Sequence, residues 1–288
     1  MKTSFIRPLT LPLTFLFFIL FFSPSHAFQI KAMDEPHSFI VDPSTGVYYV
    51  SNVFGSPDAK DNNGFIAKID PAGKHVDRDF IRSGKNGVHL DAPKGMALSG
   101  QNLYVTDIDV VRRFDVESGL PLGTVDFSIL GAKSLHDLAI DSNGNLFVSD
   151  PPGNAIYRID PANNFQVTLL VKGPGLGHPK ALVYEAPHRR LLVATGFGKL
   201  IAVNMRGDVI ALHRKRFKGL NGICLDREGN IILSSSRAGE IYRIKKYSTV
   251  EVIRKNMVTP AGISCDFRNR QVLVPSFKGN LVFTLPVK

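Results

Sequence analysis

A motif returns six times along this chain, and its period leaves few folds open. Each copy is a polar lead residue, a small residue and a short apolar strand, then a turn and a second apolar strand. The copies are His37-Ser38-Phe39-Ile40-Val41-Asp42, Lys94-Gly95-Met96-Ala97-Leu98, His136-Asp137-Leu138-Ala139-Ile140-Asp141, Lys180-Ala181-Leu182-Val183-Tyr184, Asn221-Gly222-Ile223-Cys224-Leu225-Asp226 and Ala261-Gly262-Ile263-Ser264-Cys265-Asp266. Their lead residues step by 57, 42, 44, 41 and 40 positions. A period of about 40 built from short β segments signals a propeller or array.

Each unit reads as four strands. In the third repeat these are Asp137–Ile140, Leu146–Ser149, Ala155–Ile159 and Gln166–Val171. The fifth repeat copies the layout with Ile223–Leu225, Ile231–Ser234, Glu240–Ile244 and Thr249–Ile253. The separators are rich in Asp, Asn, Pro and Gly. Asn143-Gly144 between apolar runs is a strong hairpin signal. A single small sheet cannot bury both faces, whereas sheets packed radially around an axis can. The expected fold is therefore all-β, a six-bladed β-propeller over residues 28–288. The sixth repeat stops after three strands, Gly262–Cys265, Gln271–Val274 and Asn280–Leu285. The apolar stretch Phe28–Met33 is expected to supply its missing outer strand, which would close the ring and cover an exposed edge.

Residues 1–27 stand apart from the repeats. Lys2 and Arg7 precede the apolar run Leu11–Phe22, interrupted by Thr14, and Ser25-His26-Ala27 has the small-x-small form of a cleavage site. This is a secretory signal-peptide pattern, too short to span a bilayer comfortably; the alternative is an uncleaved anchor. Export implies a secreted or periplasmic location. Cleavage would remove Lys2 and Arg7, taking the net charge from +10 to +8. A basic exported protein meets anionic surfaces, polysaccharides and small acids rather than nucleic acid. No other segment is apolar enough to cross a membrane, and the chain is expected to act as a monomer. Its two cysteines, Cys224 and Cys265, fall on neighbouring first strands at offsets that point to opposite sheet faces. Blades pack face to face, so a disulfide is conceivable; two separate buried thiols are the favoured expectation.

The chain has no Trp, which argues against WD-type blades. The segments Tyr104-Val105-Thr106-Asp107 and Phe147-Val148-Ser149-Asp150, the latter followed by Ala155-Ile156-Tyr157-Arg158-Ile159-Asp160, resemble NHL-type propeller repeats. With six units, residues 30–285 resemble the senescence marker protein/gluconolactonase superfamily. That resemblance implies a divalent metal at the channel mouth, bound by a Glu leading the first blade, two Asn from middle blades and a later Asp. Oxygen ligands of this kind suit calcium. Here His37 stands at the place of the Glu, with Glu35 two residues earlier. His136, Lys180 and Asn221 stand where the family offers Asn, Asn and Asp. Two lysines on the ring would repel a cation, so no cofactor is assigned.

First strands line a propeller channel, so the six lead residues should ring its mouth. Three readings follow. The ring binds a small anion through Lys94 and Lys180, with His37, His136 and Asn221 as hydrogen-bond partners. Alternatively, His37 and His136 share a transition metal with Asn221 or Asp137 nearby. In the third reading these residues simply line a water-filled channel.

Two other features belong to the same face. The first repeat carries longer loops at Val53–Gly64 and Arg82–Ala92, and extra loops on a rigid scaffold often carry function. Asp58, Asp61, Asn62 and Asn63 in the first loop lack EF-hand order and read as a solvated turn. The basic run His213-Arg214-Lys215-Arg216-Phe217-Lys218 is expected to add positive charge beside Asn221. Arg189-Arg190 and Lys245-Lys246 are expected to be plain surface on the opposite face. Asp42, Asp141, Asp226 and Asp266 recur at the first turn and read as turn residues. Asp107 and Asp150 are expected to bond the turn that follows them, and His178 reads as a loop residue. No phosphate loop, nucleophile elbow or clustered Cys/His zinc pattern is present. The sequence thus points to an exported propeller that binds a small anionic metabolite or anionic polymer. The alternatives are a gluconolactonase-like lactone hydrolase with an altered metal site, and an NHL-type protein interaction platform.

Overall fold

The computed structural model describes residues 27–287. The signal-peptide pattern therefore lies outside the described residues, apart from Ala27. Twenty-four strands and four short 3-10 turns make up the regular structure. Strand β1 (Gln29–Lys31) precedes the first repeat. Blade one is β2 (Pro36–Val41), β3 (Tyr48–Asn52), β4 (Phe65–Ile69) and β5 (Val76–Arg82). Blade two is β6 (Pro93–Ser99), β7 (Asn102–Asp107), β8 (Val110–Asp115) and β9 (Pro121–Asp126). Blade three is β10 (Leu138–Ile140), β11 (Leu146–Asp150), β12 (Ala155–Asp160) and β13 (Gln166–Lys172). Blade four is β14 (Pro179–Glu185), β15 (Arg190–Thr195), β16 (Leu200–Asn204) and β17 (Val209–Ala211). Blade five is β18 (Leu220–Leu225), β19 (Ile231–Ser235), β20 (Glu240–Lys245) and β21 (Thr249–Arg254). Blade six has β22 (Ser264–Asp266), β23 (Gln271–Ser276) and β24 (Leu281–Pro286).

Every sheet is antiparallel and four-stranded, and the sixth has the order β1-β24-β23-β22. The expected closure by the N-terminal segment is thus present. Gln29 pairs Phe283 and Lys31 pairs Leu281. Phe28 packs edge-on against Tyr48 with ring centroids 5.3 Å apart, and Met33 is fully buried.

Burial explains why the blades assemble. The second strands β3, β11 and β19 are buried along their whole length, whereas the outer strand β9 is almost wholly exposed. The six main apolar clusters each join residues of two adjacent blades. One combines Leu192, Ala194 and Leu200 of blade four with Ile223, Leu233 and Tyr242 of blade five; another joins Leu273 and Val282 of blade six to Phe39 and Val50 of blade one. Sheet faces that could not be buried alone are buried by their neighbours.

The two cysteines correct one expectation. Cys224 and Cys265 form a disulfide with Cα atoms 5.7 Å apart. Their opposite sheet faces are the faces that blades five and six turn toward each other, in a seam shared with Ile232, Ile263 and Val272. That separation lies at the centre of the range a disulfide spans.

The turn carboxylates behave as their recurrence implied. Asp141 accepts from the backbone of Asn143 and Asn145, and Asp226 from Glu228 and Asn230. Arg190 is not plain surface: its Nε donates to the buried Glu185 carboxylate at 2.5 Å, which also accepts from the Tyr247 hydroxyl. No helix among the described residues is long and apolar enough to cross a membrane.

Candidate functional site

Two residues at the end of each second strand fix the ring of lead residues. The first is a hydroxyl in four blades. Ser51 accepts from Ser38 N in its own blade and donates to the carbonyl of Lys94 in the next, at 2.6 Å. Thr106 does the same for Gly95 N and the His136 carbonyl. Ser149 joins Asp137 N to the Lys180 carbonyl at 2.6 Å, and Ser234 reaches the Ala261 carbonyl at 2.6 Å.

The second residue clamps the loop entering its own blade. Asp107 accepts from Asp91 N and Ala92 N, and Asp150 from Lys133 N and Ser134 N. This corrects the expectation for these two aspartates. Asp150 does also accept from Gly153 N in the following turn, but the main partners of both lie in the preceding loop. The inner strands touch directly. A Cβ on Gly95 would stand 2.5 Å from Asp137 Cα, and one on Gly222 2.5 Å from Ile263 N, so only glycine lets the strands approach.

His37, Lys94, His136, Lys180 and Asn221 all line one cavity of about 430 Å3 at the mouth. Ala261 is buried and contributes only its backbone. The imidazoles of His37 and His136 meet edge to face with centroids 4.6 Å apart, although ninety-nine residues separate them (136 − 37). Both are more than nine-tenths buried, and the Nδ1 atom of each has no hydrogen-bond partner. Lys94 is 3% exposed and donates from Nζ to Ser134 Oγ at 2.8 Å. Lys180 is half-buried and donates to Asn221 Oδ1 at 2.9 Å.

The electrostatics follow from this crowding. Burial first, then the charges of Lys94 and Lys180, holds His37 well below the usual histidine range. His136 is lowered likewise by burial, by His37 and by the two lysines. Both rings are therefore neutral at neutral pH. Burial also lowers Lys94 and Lys180 from the usual lysine value; the carboxylate of Asp58 opposes this at both, while Lys94 and Arg237 add to it at Lys180. One residue along from His136, burial pushes the Asp137 carboxyl up to about 7, against a hydrogen bond from Leu182 N at 2.8 Å. Asp137 faces the other end of the channel, in a second cavity lined by Ile140, Leu182 and Ile263.

The cavity also contains Asp58 and His178, which read in the sequence as a solvated turn and a loop residue, and others that the sequence did not mark. Asp58, from the long loop of blade one, crosses the mouth. Its carboxylate accepts from Ser134 Oγ at 2.8 Å and lies 3.7 Å from Lys94 Nζ. Asn62 instead ties its own loop to the other long loop, its N–H donating to Asp91 at 3.0 Å. His178, held at φ +59°, lies tilted against Phe197 at the rim. Pro57, Pro151, Pro152 and Phe277 form apolar walls, and Lys278 reaches in while paired to Glu35 at 2.6 Å. The long first-repeat loop was the signal for Asp58; nothing periodic marks the others.

The basic run is a correction. None of His213–Lys218 lines the cavity. Phe217 is buried in the seam of blades four and five, and it pulls the run along that seam; Lys215 lies against the Phe217 and Tyr242 rings. The positive neighbour that Lys180 feels from blade five is Arg237.

A calcium site of the gluconolactonase kind does not fit these residues. The lead positions offer imidazoles, ammonium groups and one amide, and that amide oxygen is already held by Lys180. Hard cations call for several carboxylate or carbonyl oxygens, and two lysine charges oppose any cation here.

No family model and no curated protein matches the sequence. Solved structures match the fold. A gluconolactonase from Xanthomonas campestris aligns with TM-score 0.70 and 16% identity, over 90% of each chain. Virginiamycin B lyase from Staphylococcus aureus aligns with TM-score 0.62 and 14% identity, over 91% of this chain and 99% of the lyase. A catalytically inactive His-to-Ala variant of that lyase, solved with quinupristin, is equally similar at 14% identity and TM-score 0.63, over 91% of this chain and 99% of the variant. A Bacteroides thetaiotaomicron protein of unknown function has TM-score 0.71 and 12% identity, over 92% of this chain and 72% of its own. The chain is thus a six-bladed β-propeller that shares its architecture with gluconolactonases and streptogramin lyases. Identities this low speak for the fold and leave the chemistry to the site.

Proposed function

We propose that this is an exported binding protein that takes a small anion in the mouth cavity. The observation that carries the reading is a pair of lysine ammonium groups converging beside two buried, neutral imidazoles whose Nδ1 atoms lack partners. Such a site is short of negative charge and of hydrogen-bond partners, and an anion supplies the charge. The concave cavity favours a small molecule over a polymer or a flat protein partner. Export rests on the N-terminal pattern, and the Cys224–Cys265 disulfide accords with an oxidising compartment.

Calorimetric titration with acetate and inorganic phosphate tests the reading. Binding should weaken with added salt and disappear in the Lys94→Met, Lys180→Met double variant, with circular dichroism confirming that the variant folds. Unchanged binding in a folded double variant would refute it.

The second reading is lactone hydrolysis, favoured by the architecture shared with a gluconolactonase and by imidazoles that are unprotonated at neutral pH and so free to accept a proton. Acid release from δ-gluconolactone, lost in His136→Ala, would establish it. A stoichiometric divalent ion in the purified protein, lost in His37→Ala, would point instead to the metal reading.

A further inference from the structure

The walls and charge count of the mouth cavity narrow the ligand further, on the footing that it binds an anion. Lys94 and Lys180 contribute two positive charges and Asp58 one negative, while Lys278 is neutralised by Glu35. The resident balance is one excess positive charge, and a single carboxylate that takes the place of Asp58 keeps that balance. A carboxylate already occupies the charged position. Asp58 lies against Ser134 Oγ and Lys94 Nζ, yet its side chain is 70% exposed and free to swing outward. It shows that this corner accepts a carboxylate geometrically, and it is held by nothing that a ligand could not replace.

Lys94, Lys180 and Ser134, the groups that would hold the anion, lie together in this cavity. Beside them stand Pro57, Pro151, Pro152 and the ring of Phe277, which is perpendicular to that of His37 with centroids 6.3 Å apart. At the rim the Thr259 hydroxyl oxygen accepts from Lys278 N at 2.8 Å, and His178 lies tilted against Phe197 with ring centroids 4.5 Å apart. The proline and phenylalanine walls have nothing to pair with the hydroxyls of a sugar acid, and unpaired hydroxyls are costly to bury. Proline and phenylalanine surfaces instead receive a flat apolar body.

We infer that the ligand is an aryl-substituted monocarboxylate whose carboxylate displaces Asp58 from Lys94 and Ser134 while its ring lies against Phe277 and the prolines. Calorimetric titration of the protein with phenylacetate, acetate, gluconate and inorganic phosphate tests this. Phenylacetate should bind at least about tenfold more tightly than acetate or gluconate, the gain expected from burying a ring. Phe277→Ala should bring the phenylacetate-to-acetate ratio toward one. Equal affinity for all four anions would overturn this inference and leave the anion reading standing, as would tighter binding of gluconate or phosphate. No binding of any of the four would overturn both.

Discussion

Acidifying the protein should reveal how its buried groups are protonated, because His37 and His136 oppose Asp137. Both imidazoles are held well below the ordinary histidine range by burial and by the nearby lysines. In the unfolded chain each returns to a pKa of about 6.5. At pH 5–6 the unfolded state therefore binds two more protons at these sites than the native state does. A depressed native pKa contributes stability above the unfolded value and loses it as pH falls, here at about 1.4 kcal/mol per pH unit for each ring. Asp137 runs the other way. Burial lifts it to about 7 in the native state, against an ordinary value of 3.8. Its contribution is complete below the unfolded value and is lost as pH rises through about 7. From roughly pH 5 to 6 it returns one of the two protons, leaving a net loss of about 1.4 kcal/mol per unit of acidification.

Stability should thus rise with pH to about 7 and then level off, because above that point the gain from the histidines and the loss from Asp137 nearly cancel. Asp137→Asn keeps an acceptor for Leu182 N and removes the titration. Its profile should keep rising through pH 7, where the parent levels off, and steepen to about 2.7 kcal/mol per unit between pH 5 and 6. Urea unfolding at half-unit steps from pH 5 to 8.5 measures both curves, and their difference cancels every other group. Surface carboxylates lowered by their turn hydrogen bonds, such as Asp42 and Asp115, titrate below this window. Superimposable curves for the two proteins would refute the assignment of a buried, protonated Asp137.

Asp58→Asn removes the resident carboxylate's charge from Lys94, so acetate should bind about two- to fivefold more tightly by calorimetry; Asp58 is largely exposed and its charge well screened. Reducing Cys224–Cys265 opens a bridge of sequence separation 41, worth about 4 kcal/mol by loop-closure entropy, and the urea midpoint should fall in reductant. Deleting residues 28–33 removes β1, the buried Met33 and the partly buried Phe28, and should lower Tm by about 10 °C or more in a thermal melt. Ser149→Ala strips partners from Asp137 N and the Lys180 carbonyl; it should cost about 1–3 kcal/mol in urea unfolding and weaken acetate binding, and Ser149→Thr should restore both, since Thr106 does the same work in blade two.

The ring was legible in the sequence because a period carries position with it. Once six first strands share an offset, their lead residues must come together, and His37 meets His136 on that logic alone. Features without a period stayed hidden. Asp58 touches Ser134 across 76 positions, by a path that only the folded loop defines. The basic run misled because charge density was read without the phenylalanine inside it, and burying Phe217 decides where that run travels. The cysteine offsets correctly indicated facing sheets. They carried no distance, and distance decides between two thiols and a bond.

Why such a ring can change its chemistry and keep its fold follows from the pair of residues closing each second strand. Ser51-Asn52, Thr106-Asp107, Ser149-Asp150 and Ser234-Ser235 each present a hydroxyl to the next blade's lead carbonyl and a polar group to their own entry loop. These contacts use only backbone atoms of the lead residue and its neighbours. The lead side chain plays no part in holding its own strand, so it can be an imidazole, an ammonium or an amide at no cost to the scaffold. Blades four and six lack this hydroxyl, with Ala194 opposite Ala181 in the one and Pro275 at the equivalent place in the other. After blade four the next lead residue, Asn221, is instead tied to Lys180 through its side chain. At that one point the ligand site and the scaffold share a residue, so Asn221→Ala should disturb both Lys180 and the seam, whereas a change at His37 should disturb the site alone.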